Sequence, residues 1–360
     1  MEVSDLQRIK AAWEGLGLPP GEFEYEPLPA QASLRRYVRV SSNQASWMAM
    51  LLPVSGGPEE IGGGDGPGPF LDVQGFLEGL DLPVPRVYGH HSPSSVLVLE
   101  DLDDWTFERC LSQSPPFSAE ASSWEDMEWA YLQAVDLLVE FQERTRGALE
   151  LEGPWKGRGF DETLLMGEWE HFVEYLLCEG AGESRFLHDP LVRGAGERLV
   201  QSILKLPYGL THRDYQSRNL MVTPRGLVMI DFQDALAGPY IYDLVALLRD
   251  SYILIPDSIL FSLLRRYHES GVAAGLFSFS FEELQSHFDL VTLHRKAKDA
   301  GRFVFIDRVK GNPDFLKHIP DSVGYVIDAL QRLPGFGDLG ALLLPALRAY
   351  RESLVERRDV

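Results

Sequence analysis

The hydrophobic period changes part-way along the chain, and few folds accommodate that change. Up to Glu100 the apolar residues alternate or run together. Leu34 to Val40 ends in strict alternation, and Ser46 to Leu52 is an apolar run. Ser41-Ser42-Asn43-Gln44 between them is turn chemistry, so the pair predicts a β-hairpin. Val96 to Leu99 predicts a buried strand that ends at Glu100-Asp101-Leu102-Asp103-Asp104, and Phe70 to Leu80 predicts a short helix. From Trp124 the period becomes helical: Met127, Tyr131, Ala134, Leu138 and Phe141 recur at steps of three and four. Glu168 to Leu177 and Pro190 to Lys205 predict further helices. Strand patterns return over Tyr208 to Ile230, and helical ones run from Asp243 to the end. The expectation is an α+β chain. A small strand-rich N-lobe covers residues 1–100, and a large helical C-lobe covers 101–360.

Gly56 to Pro69 holds seven Gly and three Pro. It matches neither G-x-x-x-x-G-K-[ST] nor G-x-G-x-x-G, and it is expected to be a linker rather than a phosphate cradle. The 33 Lys+Arg against 54 Asp+Glu leave a net charge of −21, which disfavours a nucleic-acid partner or an anionic membrane surface. Two cysteines, Cys110 and Cys178, make no disulfide framework and are expected to be reduced thiols. Residues 1–10 lack the apolar core of a signal peptide, and no run reaches the ~18 apolar residues of a membrane span. The expectation is a soluble cytoplasmic protein with a small-molecule substrate and no obligate protein partner.

Chemistry concentrates between Thr211 and Phe232. His212-Arg213-Asp214 is followed by Asn219, and Asp231-Phe232 ends the apolar run Leu227 to Ile230. Thr223-Pro224-Arg225-Gly226 predicts a turn between two short strands. A hairpin about that turn sets Asn219 across from Ile230 and beside Asp231. Two oxygen ligands then meet at one end, as Mg²⁺ requires. Asp214, just before the hairpin, is placed to accept a hydroxyl proton. This is the constellation used in phosphoryl transfer.

On these residues the chain resembles the aminoglycoside phosphotransferase family, whose fold is protein-kinase-like and bilobal. Ala32 to Val40, His212 to Met221, Asp231 to Ala235, Tyr242 to Asp250, Arg295-x-x-Lys298-x-x-Gly301-x-Phe303 and Asn312 to Leu316 are more specifically similar to bacterial anomeric N-acetylmuramate/N-acetylglucosamine kinases. The resemblance implies ATP and Mg²⁺, with Asp214 catalytic and Asn219 and Asp231 on the metal. It implies that His212, Arg213 and Asp243 support the catalytic loop, Asp243 serving equally well as a helix N-cap. It also implies that the backbone from Leu99 through Glu100 to Asp101 meets the adenine edge, a segment that reads as an interlobe linker too.

No lysine stands between Lys10 and Lys156, so the usual third-strand lysine of a kinase is missing, with Met50 or Leu51 in its place. In one reading Arg36, on a strand face with Val38 and Val40, covers the nucleotide and grips phosphate. In the other, the N-lobe has lost phosphate binding and the protein is a non-catalytic nucleotide-binding regulator; Arg36 by itself also reads as a solvated strand arginine. His294 to Lys317 holds seven Lys+Arg and three Asp+Glu, which reads either as a patch for an anionic sugar or as a solvated helix face. Arg295 and Lys298 there, with Glu168 on a separate helix, are candidate acceptor-binding residues. An aminoglycoside or another amino sugar or amino alcohol remains an alternative acceptor.

Overall fold

The computed structural model describes residues 3–29, 35–53, 68–113 and 126–356. Ala32 to Leu34, most of the Gly/Pro-rich stretch (through Pro67) and Trp124 lie outside the described residues. In chain order the elements begin with α1 (Val3–Gly15), β1 (Glu24–Pro27), β2 (Arg36–Ser41), β3 (Ser46–Leu51) and α2 (Gly68–Gly79). Next come β4 (Val87–His91), β5 (Val96–Glu100), α3 (Phe107–Cys110), α4 (Met127–Arg144) and α5 (Glu162–His171). Helix α5 continues as a π-helical stretch, Phe172–Gly180. Then follow α6 (Pro190–Ile203), β6 (Tyr208–Thr211), β7 (Leu220–Thr223), β8 (Gly226–Met229) and β9 (Leu236–Pro239). The chain ends in α7 (Tyr242–Leu248), α8 (Asp257–Ala273), α9 (Phe281–Lys310), α10 (Ile319–Arg332) and α11 (Gly337–Glu356).

Two compact units result, residues 1–121 with 218–235, and residues 122–217 with 236–360. The division therefore falls past the acidic run at residues 100–104, and the β7–β8 hairpin joins the strand-rich unit. Backbone bonds explain this membership: Val222 N–H donates to Trp105 O at 2.7 Å and Met229 N–H to Pro83 O at 2.8 Å. Arg225 also pairs with Glu100 at 2.7 Å, and Phe232 packs on Phe70 with ring centroids 5.2 Å apart.

The first unit is built on an antiparallel sheet of order β1-β2-β3-β5-β4. The expected hairpin is present as β2–β3, in a register that pairs Arg36 with Leu51 and Ser41 with Ser46. One face carries Val38, Val40, Ala49, Leu51, Val96 and Val98, and α1 covers it with Ile9, Ala12 and Trp13. The opposite face carries Tyr37, Met50, Leu97 and Leu99, as the β2–β3–β5 register requires. Helix α2 begins at Gly68, so the last two residues of the expected linker are helical.

The second unit is mostly helical. Tyr131, Ala134, Leu138 and Phe141 form the buried stripe of α4, as their spacing predicts. The helix expected at Glu168 to Leu177 starts earlier, capped by Asp161, and changes to π geometry at Phe172. Helix α9 is fixed at its start by a Ser280/Glu283 capping box and ends at Gly311, whose φ of 68° suits glycine. Strand β9 pairs with β6, Thr211 opposite Leu236, an element the sequence pattern does not announce. Cys110 and Cys178 are free thiols, and no described helix is long and apolar enough to cross a membrane.

Candidate active site

The loop that follows β6 is held from several sides within the helical unit. Asp243, fully buried at the start of α7, accepts the backbone N–H groups of His212 at 2.7 Å and Arg213 at 2.9 Å. Burial raises its pKa, and the charges and N–H groups facing it work the other way. Arg213 is left-handed at φ 78°, a strained conformation for a side chain of its size. Its carbonyl accepts from Nη1 of Arg295 at 3.0 Å, and Nη2 of the same guanidinium lies 3.5 Å from Oδ1 of Asp214. Arg295 thereby clamps the turn that aims Asp214, whose side chain is 40% exposed while that of Arg295 is 4% exposed. His212 is fully buried with its ring edge toward Tyr215, and neither ring nitrogen has a hydrogen-bond partner among the described residues. It supports the loop by packing.

Two further supports went unseen in the sequence. The Tyr215 hydroxyl, fully buried, donates to Ala134 O at 2.8 Å. Asp250 receives both the backbone N–H and the hydroxyl of Ser217 on one carboxylate oxygen. Its other oxygen accepts from the Tyr252 N–H at 3.1 Å. Buried acidic residues downstream of an H-R-D motif would have been the signal, and Asp250 meets that description as well as Asp243 does.

The second cluster lies in the strand-rich unit, at one end of the β7–β8 hairpin. Leu220 pairs with Met229, and the Ile230 N–H donates to Asn219 O at 3.0 Å, the juxtaposition expected from the turn. Asn219 Nδ2 stands 3.5 Å from Oδ2 of Asp231. Asp231 is left-handed at φ 65°, and its Oδ1 accepts from Gln233 Nε2 at 2.7 Å. One amide and one carboxylate on rigid backbone are a hard-oxygen donor set that fits Mg²⁺, once the Asn219 amide turns its oxygen toward the ion. Among the described residues there is no cluster of three or more His, Cys, Asp or Glu that would suit a different metal.

Two of the nucleotide-facing expectations, Arg36 and Val38, fall on the sheet face that α1 covers. The Arg36 guanidinium forks onto the buried Asp5 of α1 at 2.6 and 2.7 Å. Val38, beside it, is buried under the same helix. The alternation was read properly, but the face was assigned to nucleotide when α1 occupies it. Leu99 lies on the opposite face with Tyr37 and Met50. Tyr37 carries a raised pKa, from burial first, and its neighbours include Arg35 and Asp231. Glu100 pairs with Arg225, while Asp101 takes Arg39 at 2.8 and 3.3 Å. The side chains of Glu100 and Asp101 are thus occupied with holding the segment, which leaves any base recognition there to backbone.

The expected basic patch is largely internal. Lys296 is buried against Ser251 Oγ at 2.6 Å and Asp299 at 3.0 Å, and Arg295 is engaged with the catalytic loop. Lys298 meets Asp299 at 3.0 Å with its side chain 22% exposed. Glu168 lies 3.7 Å from His294.

The family model described as "Phosphotransferase enzyme family" matches residues 24–277, which include Asp214, Asn219, Asp231, Asp243 and Asp250. The chain belongs to this family. It is a phosphotransferase, with the protein-kinase-like fold expected. Among relatives of this phosphotransferase, the N-acetylmuramate/N-acetylglucosamine kinase of Pseudomonas aeruginosa is 31% identical over 334 residues, covering 92% of this chain and 90% of the relative. The protein of the same name from Neisseria meningitidis serogroup B is 29% identical over 335 residues, covering 92% and 93%. A choline/ethanolamine kinase family protein from Mesorhizobium loti shares the fold at a TM-score of 0.56 and 15% identity, covering 98% of this chain and all of that one.

Proposed function

We propose that this phosphotransferase is an ATP- and Mg²⁺-dependent kinase of amino sugars, phosphorylating the anomeric hydroxyl of N-acetylmuramate and N-acetylglucosamine in cell-wall sugar recycling. The observation that carries the reading is the braced Asp214, fixed by Arg295 and by the Asp243 grip on the two residues before it. A carboxylate so placed accepts the proton of an attacking hydroxyl as the oxygen bonds to the γ-phosphorus and the bond to the leaving ADP oxygen breaks. Asn219 and Asp231 hold Mg²⁺, which neutralises phosphate charge when bound. Leu99 supplies an apolar surface for the base, and the backbone of Glu100 and Asp101 its polar contacts. The names of the two relatives support the choice of acceptor.

The test is ADP release by the purified protein with MgATP and a panel of acceptors: N-acetylmuramate, N-acetylglucosamine, kanamycin and choline. Turnover of the first two and neither of the others is expected. Turnover of kanamycin or choline alone would replace the acceptor, and silence across the panel with ATP bound would replace catalysis by nucleotide sensing.

A further inference from the structure

Helix α1 takes one face of the five-stranded sheet, and with it Leu51 and Arg36. Of the two positions at which the third-strand lysine is missing, Met50 is therefore the one on the face away from α1. A kinase uses a cation there to meet the phosphates of its nucleotide. Met50 is buried and uncharged, so that charge has to come from a neighbour.

Tyr37 on β2 stands directly opposite Met50. Arg35 lies two residues before Tyr37, which makes it the diagonal neighbour of Met50, a separation that long side chains span. Arg35 is half-buried and hydrogen-bonds the Tyr37 side chain, so its guanidinium lies on Tyr37's face of the sheet.

Tyr37 also lies in the field of Asp231, the anionic member of the metal pair. Burial is the main cause of its raised pKa, Asp231 adds to it and Arg35 opposes it, so the phenol stays protonated beside a cation and a carboxylate. Asp231 is fixed in its turn: Gln233 donates to it at 2.7 Å, and the next residue, Phe232, packs on Phe70. Arg35, Tyr37, Met50 and Asp231 all belong to the strand-rich unit.

Other cations of that unit are engaged elsewhere. Arg36 pairs with Asp5, Arg39 with Asp101 and Asp104, Arg218 with Glu108 and Arg225 with Glu100. Lys10, the unit's one lysine, is on α1. Arg35 meets a neutral phenol, and a guanidinium has five N–H groups, so holding Tyr37 and gripping a phosphate are compatible. A guanidinium also forks onto two phosphate oxygens, where an ammonium acts as a point charge.

Resting on the ATP-dependent reading above, we infer that Arg35 takes the place of the missing third-strand lysine: from the start of β2 its guanidinium grips the terminal phosphates of the nucleotide, beside the Mg²⁺ that Asn219 and Asp231 hold, and the Tyr37 hydroxyl positions it there.

The experiment titrates the full-length protein calorimetrically with MgATP and with AMP, in the wild type, Arg35→Met, Arg35→Lys and Arg36→Met, with melting temperatures alongside. AMP carries the base and ribose without the terminal phosphates. Arg35→Met is expected to weaken MgATP binding about tenfold and to leave AMP binding unchanged, as loss of one charge-assisted contact requires. Arg35→Lys keeps the charge and loses the fork, and a smaller loss of about threefold is expected. Arg36→Met should leave both affinities unchanged. An MgATP affinity unchanged in Arg35→Met, or in Arg35→Lys should the first variant not fold, overturns the assignment. So do equal losses for MgATP and AMP, which mark a structural role, and a loss confined to Arg36→Met. A wild type that shows the expected pattern of binding but phosphorylates no acceptor keeps Arg35 on the phosphates and overturns the kinase reading. A wild type that binds no MgATP overturns both.

Discussion

Asp250 takes both the backbone N–H and the side-chain hydroxyl of Ser217 on a single buried oxygen. Together with Asp243 it brackets the loop that contains Asp214, one carboxylate at each end. Replacing Asp250 by Ala strands the backbone N–H groups of Ser217 and Tyr252 and the Ser217 hydroxyl. The expected result is a loss of about 2–4 kcal/mol in urea-unfolding stability and a fall of about a hundredfold in kcat, since misplacement of a positioned group costs about that much. Ser217→Ala removes only the hydroxyl arm and should cost about 1 kcal/mol.

Arg36 and Asp5 make a stability contact. Arg36→Met takes away the guanidinium that forks onto the buried Asp5 and leaves it the charge of Arg8, and urea unfolding should register a loss of about 1–2 kcal/mol, discounted because the Arg36 side chain is 47% exposed. The KM for ATP should be unchanged. A KM that rises severalfold with stability intact would return Arg36 to the nucleotide.

Asp231→Asn is a clean probe of metal binding, because asparagine tolerates the left-handed conformation at φ 65°. It removes the anionic ligand while keeping an oxygen. The Mg²⁺ concentration for half-maximal rate should rise at least ~10-fold, on the order expected when charge leaves a hard-cation site. The melting temperature measured without metal should stay where it was.

Buried histidines make stability depend on pH. Burial lowers the pKa of His294 below its ordinary 6.5. As pH falls below 6.5 the unfolded chain takes up a proton that the folded chain refuses, so the unfolded state gains. His294 therefore contributes stability above pH 6.5 that is lost on acidification toward its folded pKa. Thermal melts at pH 7.5 and 5.5 should show a drop, and His294→Gln should make that drop smaller.

What could be read in the residues was mostly local. The β7–β8 register, and with it the meeting of Asn219 and Asp231, follows from one turn signal between two apolar runs. The stripe of α4 follows from its period. Arg36 was misplaced because alternation tells which residues share a face but not what covers that face, and the cover is a helix some thirty residues upstream. The contacts of Arg295 with Arg213 and Asp214 have no local signal, because those partners are 82 and 81 residues away. Strand β9 escaped notice since Leu236-Ala237-Gly238-Pro239 has no alternation. The π geometry after His171 has no sequence period of its own.

The most direct measurement is phosphorus NMR of the reaction of the protein with MgATP and N-acetylmuramate, run beside Asp214→Asn. Loss of a positioned general base removes about 10²–10⁴ in rate, so the wild type should produce an anomeric sugar-phosphate resonance that the variant does not produce on the same timescale. A phosphate on another hydroxyl, or undiminished turnover by Asp214→Asn, would contradict the assignment of Asp214 as the base acting on that hydroxyl.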